Sequence, residues 1–359
     1  MAVVAHSTPH LPELRASPAR LLTPAPPRRL PRTAQPSLSV VIVNFRQWEN
    51  TVSLARQLDA SDAMRSGMAE VVLLDNDSDS FLLRRCVRRW PGVSLRCFGR
   101  NRGFARAVNE GCRRARGQWF LLLNPDVRVP EEFLDRVLAT AERIATEHPR
   151  AGVVGFRLRH GDGSRQGSTG PYPTLRSVVS GLFRRRSRRR CRPLKGRHRR
   201  QVPWVTGCCL LVRRDCWREL GGFDEDFFLY YEDVDLCRRA RAAGWSVWYE
   251  PTLKVTHLSP LHTRPVPPPL RLMTRHALLI YGAKHWPRWQ FRTLALLVGA
   301  EARLRQSLAF LRGNRDGADH FRRLRELAHD LSRGRGLRAR HRLLMSARAL
   351  NAVMPDRPR

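Results

Sequence analysis

Hydrophobic runs of strand length recur through the first half of the chain, each followed by a segment with helical spacing. Leu38-Ser-Val-Val-Ile-Val43 is continuous and β-branched, the pattern of a parallel strand buried on both faces. Trp48, Val52, Leu54, Ala55 and Leu58 then fall broadly on one helical face. A second apolar run, Glu70-Val-Val-Leu-Leu74, stops at the polar tip Asp75-Asn-Asp-Ser78. A helix around 80–89, a strand at 93–98 and a helix opening near Gly103 are expected next. Gln118-Trp-Phe-Leu-Leu-Leu123 is another strand, ending at Asn124-Pro-Asp126. Pro130 and Glu131 introduce a helix with Phe133, Leu134, Val137, Leu138, Ala141 and Ile144 on one face. Strand and helix alternate, which predicts an α/β fold around a mostly parallel sheet.

The second half is patterned differently. Residues 151–159 read as a strand, followed by a Gly/Ser-rich loop. Order resumes at Trp204, and Gly221-Gly222 marks a turn. Residues 232–243 read as a helix stopped by Gly244, and 246–249 as a strand leading to Pro251 and His257. Residues 260–269 are Pro-rich and read as a linker, and 271–352 as basic and helical. The expected organisation is a disordered, basic, Pro-rich tail over 1–36, an α/β domain over 37–260, and a C-terminal linker and helical region over 261–359.

Charge changes the picture. The 359 residues hold 66 Lys and Arg against 31 Asp and Glu, a formal net charge of +35. Residues 184–200 carry eleven basic side chains and no acid. A block of this kind is a solvated loop or an interaction segment, not core. Anionic partners fit, whether nucleic acid, membrane surface or phosphate-bearing substrate. Eight cysteines show neither a CxxC pair nor zinc-type spacing, so free buried thiols in a reducing cytoplasm are expected. The N-terminus lacks signal-peptide character and no apolar run reaches membrane-spanning length.

Candidate chemistry lies at the ends of the strands, where parallel α/β sheets gather ligands. Asp75 and Asp126 occupy two such tips, each able to accept hydrogen bonds from a nucleoside or to bind a divalent cation. Either alone is more readily a turn-former or helix cap, and the occurrence of both at successive strand ends weakens that reading. Gly103 opens a helix that carries Asn109. Glu232 and Asp233 begin another, where the helix dipole favours an ionised carboxylate. His257 closes the set.

Together these segments resemble the inverting glycosyltransferase family 2 enzymes of GT-A fold, in particular the rhamnosyltransferase-like branch, from about Leu38 to Leu258. Ser39-Val-Val-Ile-Val-Asn-Phe45 is similar to the first strand and nucleotide-contacting turn, which implies roles for Asn44 and Phe45. Arg46 stands where the family often has asparagine. Val71-Val-Leu-Leu-Asp-Asn-Asp-Ser78 resembles the segment whose aspartate holds the nucleoside, here Asp75, with Asn76 beside it. Asn101-Arg-Gly-Phe-Ala105 with Asn109 resembles the donor-side helix, bringing in Gly103 and Phe104. Phe120-Leu-Leu-Leu-Asn-Pro-Asp126 is similar to the branch's metal motif, with Asn124 in place of its first carboxylate. Trp204, Gly207, Asp224 and Glu225 match the acceptor-side half. Glu232-Asp-Val-Asp-Leu236 matches the segment whose aspartate is the catalytic base, which falls on Asp233 with Glu232 adjoining. His257 matches a histidine that helps to bind metal.

The resemblance implies a metal-dependent enzyme, with Mg²⁺ or Mn²⁺ at Asp126 and His257. It would move a sugar, rhamnose or a related hexose, from a nucleotide-diphosphate donor. The acceptor would be a glycan or lipid-linked hydroxyl in bacterial cell-envelope synthesis. The basic loop and helical tail suggest peripheral attachment to an anionic membrane on its cytoplasmic face. Two competing readings are a nucleic-acid-binding protein, for which no recognisable binding motif is present, and a catalytically silent partner of such an enzyme.

Overall fold

The computed structural model describes residues 35–77, 81–181, 191–258 and 266–353. The Pro-rich tail up to residue 34, the first part of the basic block and most of the Pro-rich linker lie outside the described residues.

A nine-stranded sheet organises the chain. Strands β1 (Leu38–Asn44), β2 (Ala69–Asn76), β3 (Val93–Phe98) and β4 (Trp119–Leu123) are parallel, in the order β3-β2-β1-β4. The helices between them are α1 (Trp48–Asp59), a short α2 (Asp62–Arg65), α3 (Phe81–Val87) and α4 (Phe104–Arg114). The β1 side chains explain the continuous apolar run: Val41 and Val43 enter one core and Leu38, Val40 and Ile42 the other. A strand sandwiched between two cores has no polar face to spare.

The alternation changes beyond β4. A two-residue β5 (Val127–Arg128) precedes α5 (Phe133–Glu147) and β6 (Ala151–Arg159). After α6 (Leu175–Gly181) and β7 (Arg200–Gln201), β8 (Cys209–Arg213) inserts antiparallel between β4 and β6. A short α7 (Arg214–Glu219) and α8 (Glu232–Ala242) lead to β9 (Ser246–His257). The parallel pairing expected from the pattern holds across β3-β2-β1-β4 and recurs between β6 and β9, while β5, β7 and β8 pair antiparallel, so the sheet as a whole is mixed. Strand β9 runs well past residue 249 because its pairing with β6 shifts register around Pro251, the site where a proline is tolerated. His257 consequently ends the strand instead of following it.

The C-terminal region is four helices: α9 (Pro268–His285), α10 (Arg288–Leu311), α11 (Arg315–Ser332) and α12 (Gly336–Val353). Pro287, Gly313 and Gly334 punctuate them. Helix α9 docks against α8, where His285 Nε2 lies 2.7 Å from Asp235 Oδ1 and Lys284 Nζ lies 2.8 Å from both Asp224 and Asp226. Among the described residues, no helix is long and apolar enough to cross a membrane. All seven described cysteines are free.

Candidate active site

The carboxyl end of the parallel sheet gathers the predicted acids. Asn44 and Asp75 are register partners at the tips of β1 and β2. Asn44 Nδ2 donates to Asp75 Oδ1 at 2.9 Å, and Thr51 Oγ1 donates to Asn44 Oδ1 at 2.8 Å. This aims the Asp75 carboxylate while leaving Oδ2 buried with no hydrogen-bond partner among the described residues. A buried acceptor of this kind is costly unless a ligand supplies the donor. Asn76 turns instead toward the chain: its Oδ1 accepts from Arg102 N at 2.8 Å and its Nδ2 reaches Asn101 Oδ1 at 3.0 Å. It shapes the loop that feeds α4.

Gly103 ends that loop at φ +88°, a region closed to most side chains. A Cβ there would lie 2.8 Å from both the ring and the carbonyl oxygen of Phe228, and Phe104 N donates to that same carbonyl at 2.7 Å. Phe45 is half-buried, with the Arg46 guanidinium over its ring at 5.9 Å.

The next strand tip brings the second acid into place. Asn124 N donates to Cys208 O at 3.0 Å, continuing the β4–β8 ladder, and sets Asp126 beside the Gly207-Cys208 turn. Val127 pairs with His257 across β5 and β9, and Leu258 N donates to Asp126 O at 2.9 Å. His257 Nε2 therefore stands 3.3 Å from Asp126 Oδ1, with both residues buried.

Behind the imidazole, Gln166 Nε2 lies 2.9 Å from His257 Nδ1, while Gln166 Oε1 has no partner among the described residues. The two ends of the amide have the same shape, and the exchanged orientation lets Oε1 accept from Nδ1–H and presents the Nε2 lone pair beside Asp126. An oriented imidazole next to a carboxylate suits a divalent cation, the remaining positions being open to phosphate oxygens. Among the described residues no cluster of three or more His, Cys, Asp or Glu offers a fuller cage. The pair fits a metal held jointly by protein and donor.

The catalytic-base candidate reaches the same turn from the other side. Asp233 Oδ2 accepts from Gly207 N at 3.0 Å and Oδ1 from Val234 N at 2.8 Å, which fixes the plane of the buried carboxylate. Tyr230 and Tyr231 enter α8 at φ +72° and +69°. Two successive left-handed non-glycine residues cost about 1–3 kcal/mol each, strain of the sort found where a side chain must be aimed. Burial pushes the Cys208 thiol well above its ordinary range, and the negative charges of Asp126 and Asp233 both add to it. The Gly207-Cys208 turn meets Asp233 through the Gly207 N–H and the segment leading to Asp126 through the Cys208 carbonyl, so the two acids lie at one locus. Glu232 is buried beside them.

Two expectations need correction. Trp204, read as an acceptor contact, is fully buried and donates its indole N–H to Pro171 O at 3.1 Å, so it backs the wall of the site and does not face it. Asn109, read as a donor contact, spends both amide ends on the main chain of Phe223, donating to its carbonyl and accepting from its N–H at 2.9 Å each. It holds the Gly221-Gly222-Phe223 turn. Glu225 joins that turn to α4 through Asn109 and Arg106 (3.3 Å). Asp224 is half-buried; burial raises its carboxyl, but Lys284, the Asp226 N–H and Arg239 together more than offset this and hold it below the usual range. Gln166 was not indicated by the sequence, since a lone glutamine in a Gly/Ser-rich loop has neither periodicity nor motif.

A mixed sheet with acids converging at its carboxyl edge, opposed by a carboxylate at the start of a helix, defines a sugar-nucleotide transferase architecture. The profile of Glycosyltransferase like family 2 matches residues 36–276, and the chain belongs to that family. It is 35% identical over 209 residues to the N-acetylglucosaminyl-diphospho-decaprenol L-rhamnosyltransferase of Mycobacterium tuberculosis, covering 52% of this chain and 66% of that one. The matched region thus spans just under two thirds of that relative's length. Rhamnosyltransferase WbbL of Escherichia coli K12 is 24% identical over 61% of this chain and 82% of its own. Among solved structures, GalNAc-T7 with UDP, GalNAc and Mn²⁺ superposes with a TM-score of 0.51 at 17% identity, over 68% of this chain and 48% of that chain. The fold is GT-A.

Proposed function

We propose that this protein is an inverting glycosyltransferase that moves rhamnose or a related hexose from a nucleotide-diphosphate donor to a hydroxyl of a lipid-linked glycan. The observation that carries the reading is the convergence on the Gly207-Cys208 turn of Asp233 from one side and the Asp126–His257 pair from the other. Proton acceptor and diphosphate site then flank a single sugar position. The rhamnosyltransferase relatives, one named for a decaprenol-diphosphate acceptor, support the substrate class.

Asp75, steadied by Asn44, accepts a hydrogen bond from the nucleoside with its unmatched Oδ2. Asp126 and His257, the latter oriented by Gln166, hold a divalent cation, Mg²⁺ or Mn²⁺. When bound, that cation supplies charge stabilisation to the departing diphosphate. Asp233 takes the proton from the acceptor hydroxyl as its oxygen attacks the anomeric carbon, and the bond to the diphosphate breaks on the opposite face. A single displacement of this kind inverts the anomeric configuration without a covalent intermediate. Gly207 N–H keeps the Asp233 carboxylate pointed at the acceptor.

Asp233→Asn preserves the shape of the site but removes the proton acceptor. Calorimetry should find donor affinity within about threefold of the parent while turnover falls by 10²-fold or more, on the order expected for loss of a general base. Equal loss of donor binding and turnover would move Asp233 out of the proton-transfer role. The retained Asp126, Asp233 and His257 geometry favours this reading over a silent partner.

A further inference from the structure

Helix α10 buries one face and leaves the other without cover. Leu294, Ala295, Val298, Ala302 and Ala309 pack inward. On the opposite side, Trp289 (63% exposed), Leu296 (74%), Leu304 (63%) and Leu311 (79%) form a stripe with Leu297 and Leu308 beside it. Their seven- and eight-residue spacing keeps them on one line along the 24-residue helix. At its N-terminal end Trp289 also lines a groove of about 610 Å³ shared with Leu175, Arg176 and Val179 of α6. Isolated exposed leucines are ordinary on soluble proteins, but a continuous apolar band of this length marks an interaction surface.

Charge chooses the occupant. Arg288, Arg292 and Arg303 are exposed and run along one border of the stripe by helical position. Over residues 266–353 the chain carries eighteen Lys and Arg against five Asp and Glu. A second copy presenting the same face would bring an equally positive surface to it. A leaflet of anionic lipid offers the opposite sign together with an apolar layer just beneath the headgroups. A helix with an aromatic residue at one end, a leucine band and an arginine border is built to lie in such an interface.

We propose that the outer face of α10 docks the protein on an anionic lipid leaflet, with Trp289, Leu296, Leu304 and Leu311 inserted below the headgroups and Arg288, Arg292 and Arg303 among them. The helix lies in the membrane plane and does not cross it. This inference concerns where the protein sits and extends the transfer reading by bringing the site to a lipid-linked acceptor.

The test is flotation of the full chain with vesicles of phosphatidylcholine containing about a third phosphatidylglycerol, beside vesicles of phosphatidylcholine alone. The parent chain should float with the anionic vesicles and bind the neutral ones weakly. The L296E/L304E variant alters only exposed positions, so its circular dichroism and melting should match the parent. Its partition to anionic vesicles should drop by more than about tenfold, since two leucines leave the apolar layer. An R288E/R292E/R303E variant should lose binding at low salt and leave the parent's salt dependence behind. Undiminished flotation of L296E/L304E would overturn the proposal. So would sedimentation equilibrium showing that the substitution splits a dimer, which would assign the face to a second copy. Turnover with a short-chain, water-soluble acceptor separates the two readings. A docking variant that turns over normally but does not float confirms α10 as the membrane face. A parent that floats but never turns over defeats the transfer reading and leaves the docking result standing.

Discussion

Asp126 and His257 are distant in the sequence and 3.3 Å apart in space because β5 pairs with the last residues of β9. Both were legible as candidates from a strand-end acid and a histidine after an apolar run. The partner that orients His257 was not. Gln166 reaches His257 only because β6 and its following loop fold back along β9, a pairing that no local pattern announces. Gln166→Leu should leave the fold intact and weaken Mn²⁺ binding by roughly 10–100-fold, the usual effect of losing a residue that orients a metal-ligating histidine. Electron paramagnetic resonance titration of Mn²⁺ with the unliganded protein checks this without reference to turnover. Gln166→Glu, which keeps an oxygen on Nδ1–H, should restore much of the affinity. Unchanged affinity in both variants would leave Gln166 a packing residue. Asn109 and Trp204 make the opposite point. Motif position marked each as a ligand contact, whereas in the fold the hydrogen-bonding groups of one are spent on Phe223 and the indole N–H of the other on Pro171.

At the scale of elements, the parallel first half was readable because each strand is buried on both faces and each helix presents one apolar stripe. The second half was not, and the reasons are local. Cys209-Leu-Leu-Val212 is too short for periodicity to separate strand from helix, and Pro251 hides the continuation of β9. One join between the halves is the contact of Gly103 with Phe228, which ties helix α4 to the entry of α8. Adding one methyl group there forces a Cβ against a backbone carbonyl at 2.8 Å in a left-handed conformation. Gly103→Ala should destabilise the protein by about 2–4 kcal/mol, the sum of the conformational penalty and overpacking. Urea denaturation measures this. Because the displaced segment leads to Asp233, turnover should fall further than the loss of folded protein accounts for.

At the scale of the molecule, the basic C-terminal helices read by composition as a separate region, yet α9 is fastened to the α/β domain through Asp235–His285 and the Lys284 bridge to Asp224 and Asp226. This docking should be sensitive to acid. Burial of His276 on α9 drives its imidazole down to about 4, with Asp226 pulling it up and Arg340 pushing it down. An unfolded histidine titrates near 6.5, so between about 6.5 and 4 the unfolded chain binds a proton that the folded chain does not. Stability should therefore be full above pH 6.5 and decline as pH falls toward 4, by up to about 3 kcal/mol from this residue. Thermal melts of His276→Met should show a flatter profile over that range, and the difference between the two profiles isolates the histidine from the acids.

In the proposed mechanism Asp233 and the Asp126–His257 pair act on one donor sugar. This is tested most directly by supplying the full chain with a panel of nucleotide sugars, Mg²⁺ or Mn²⁺ and a lipid extract, beside Asp233→Asn. The prediction is cation-dependent release of a single nucleoside diphosphate from one donor, with the sugar transferred in inverted configuration, and loss of that release in the variant. Equal release by both proteins, or transfer with retained configuration, would contradict it.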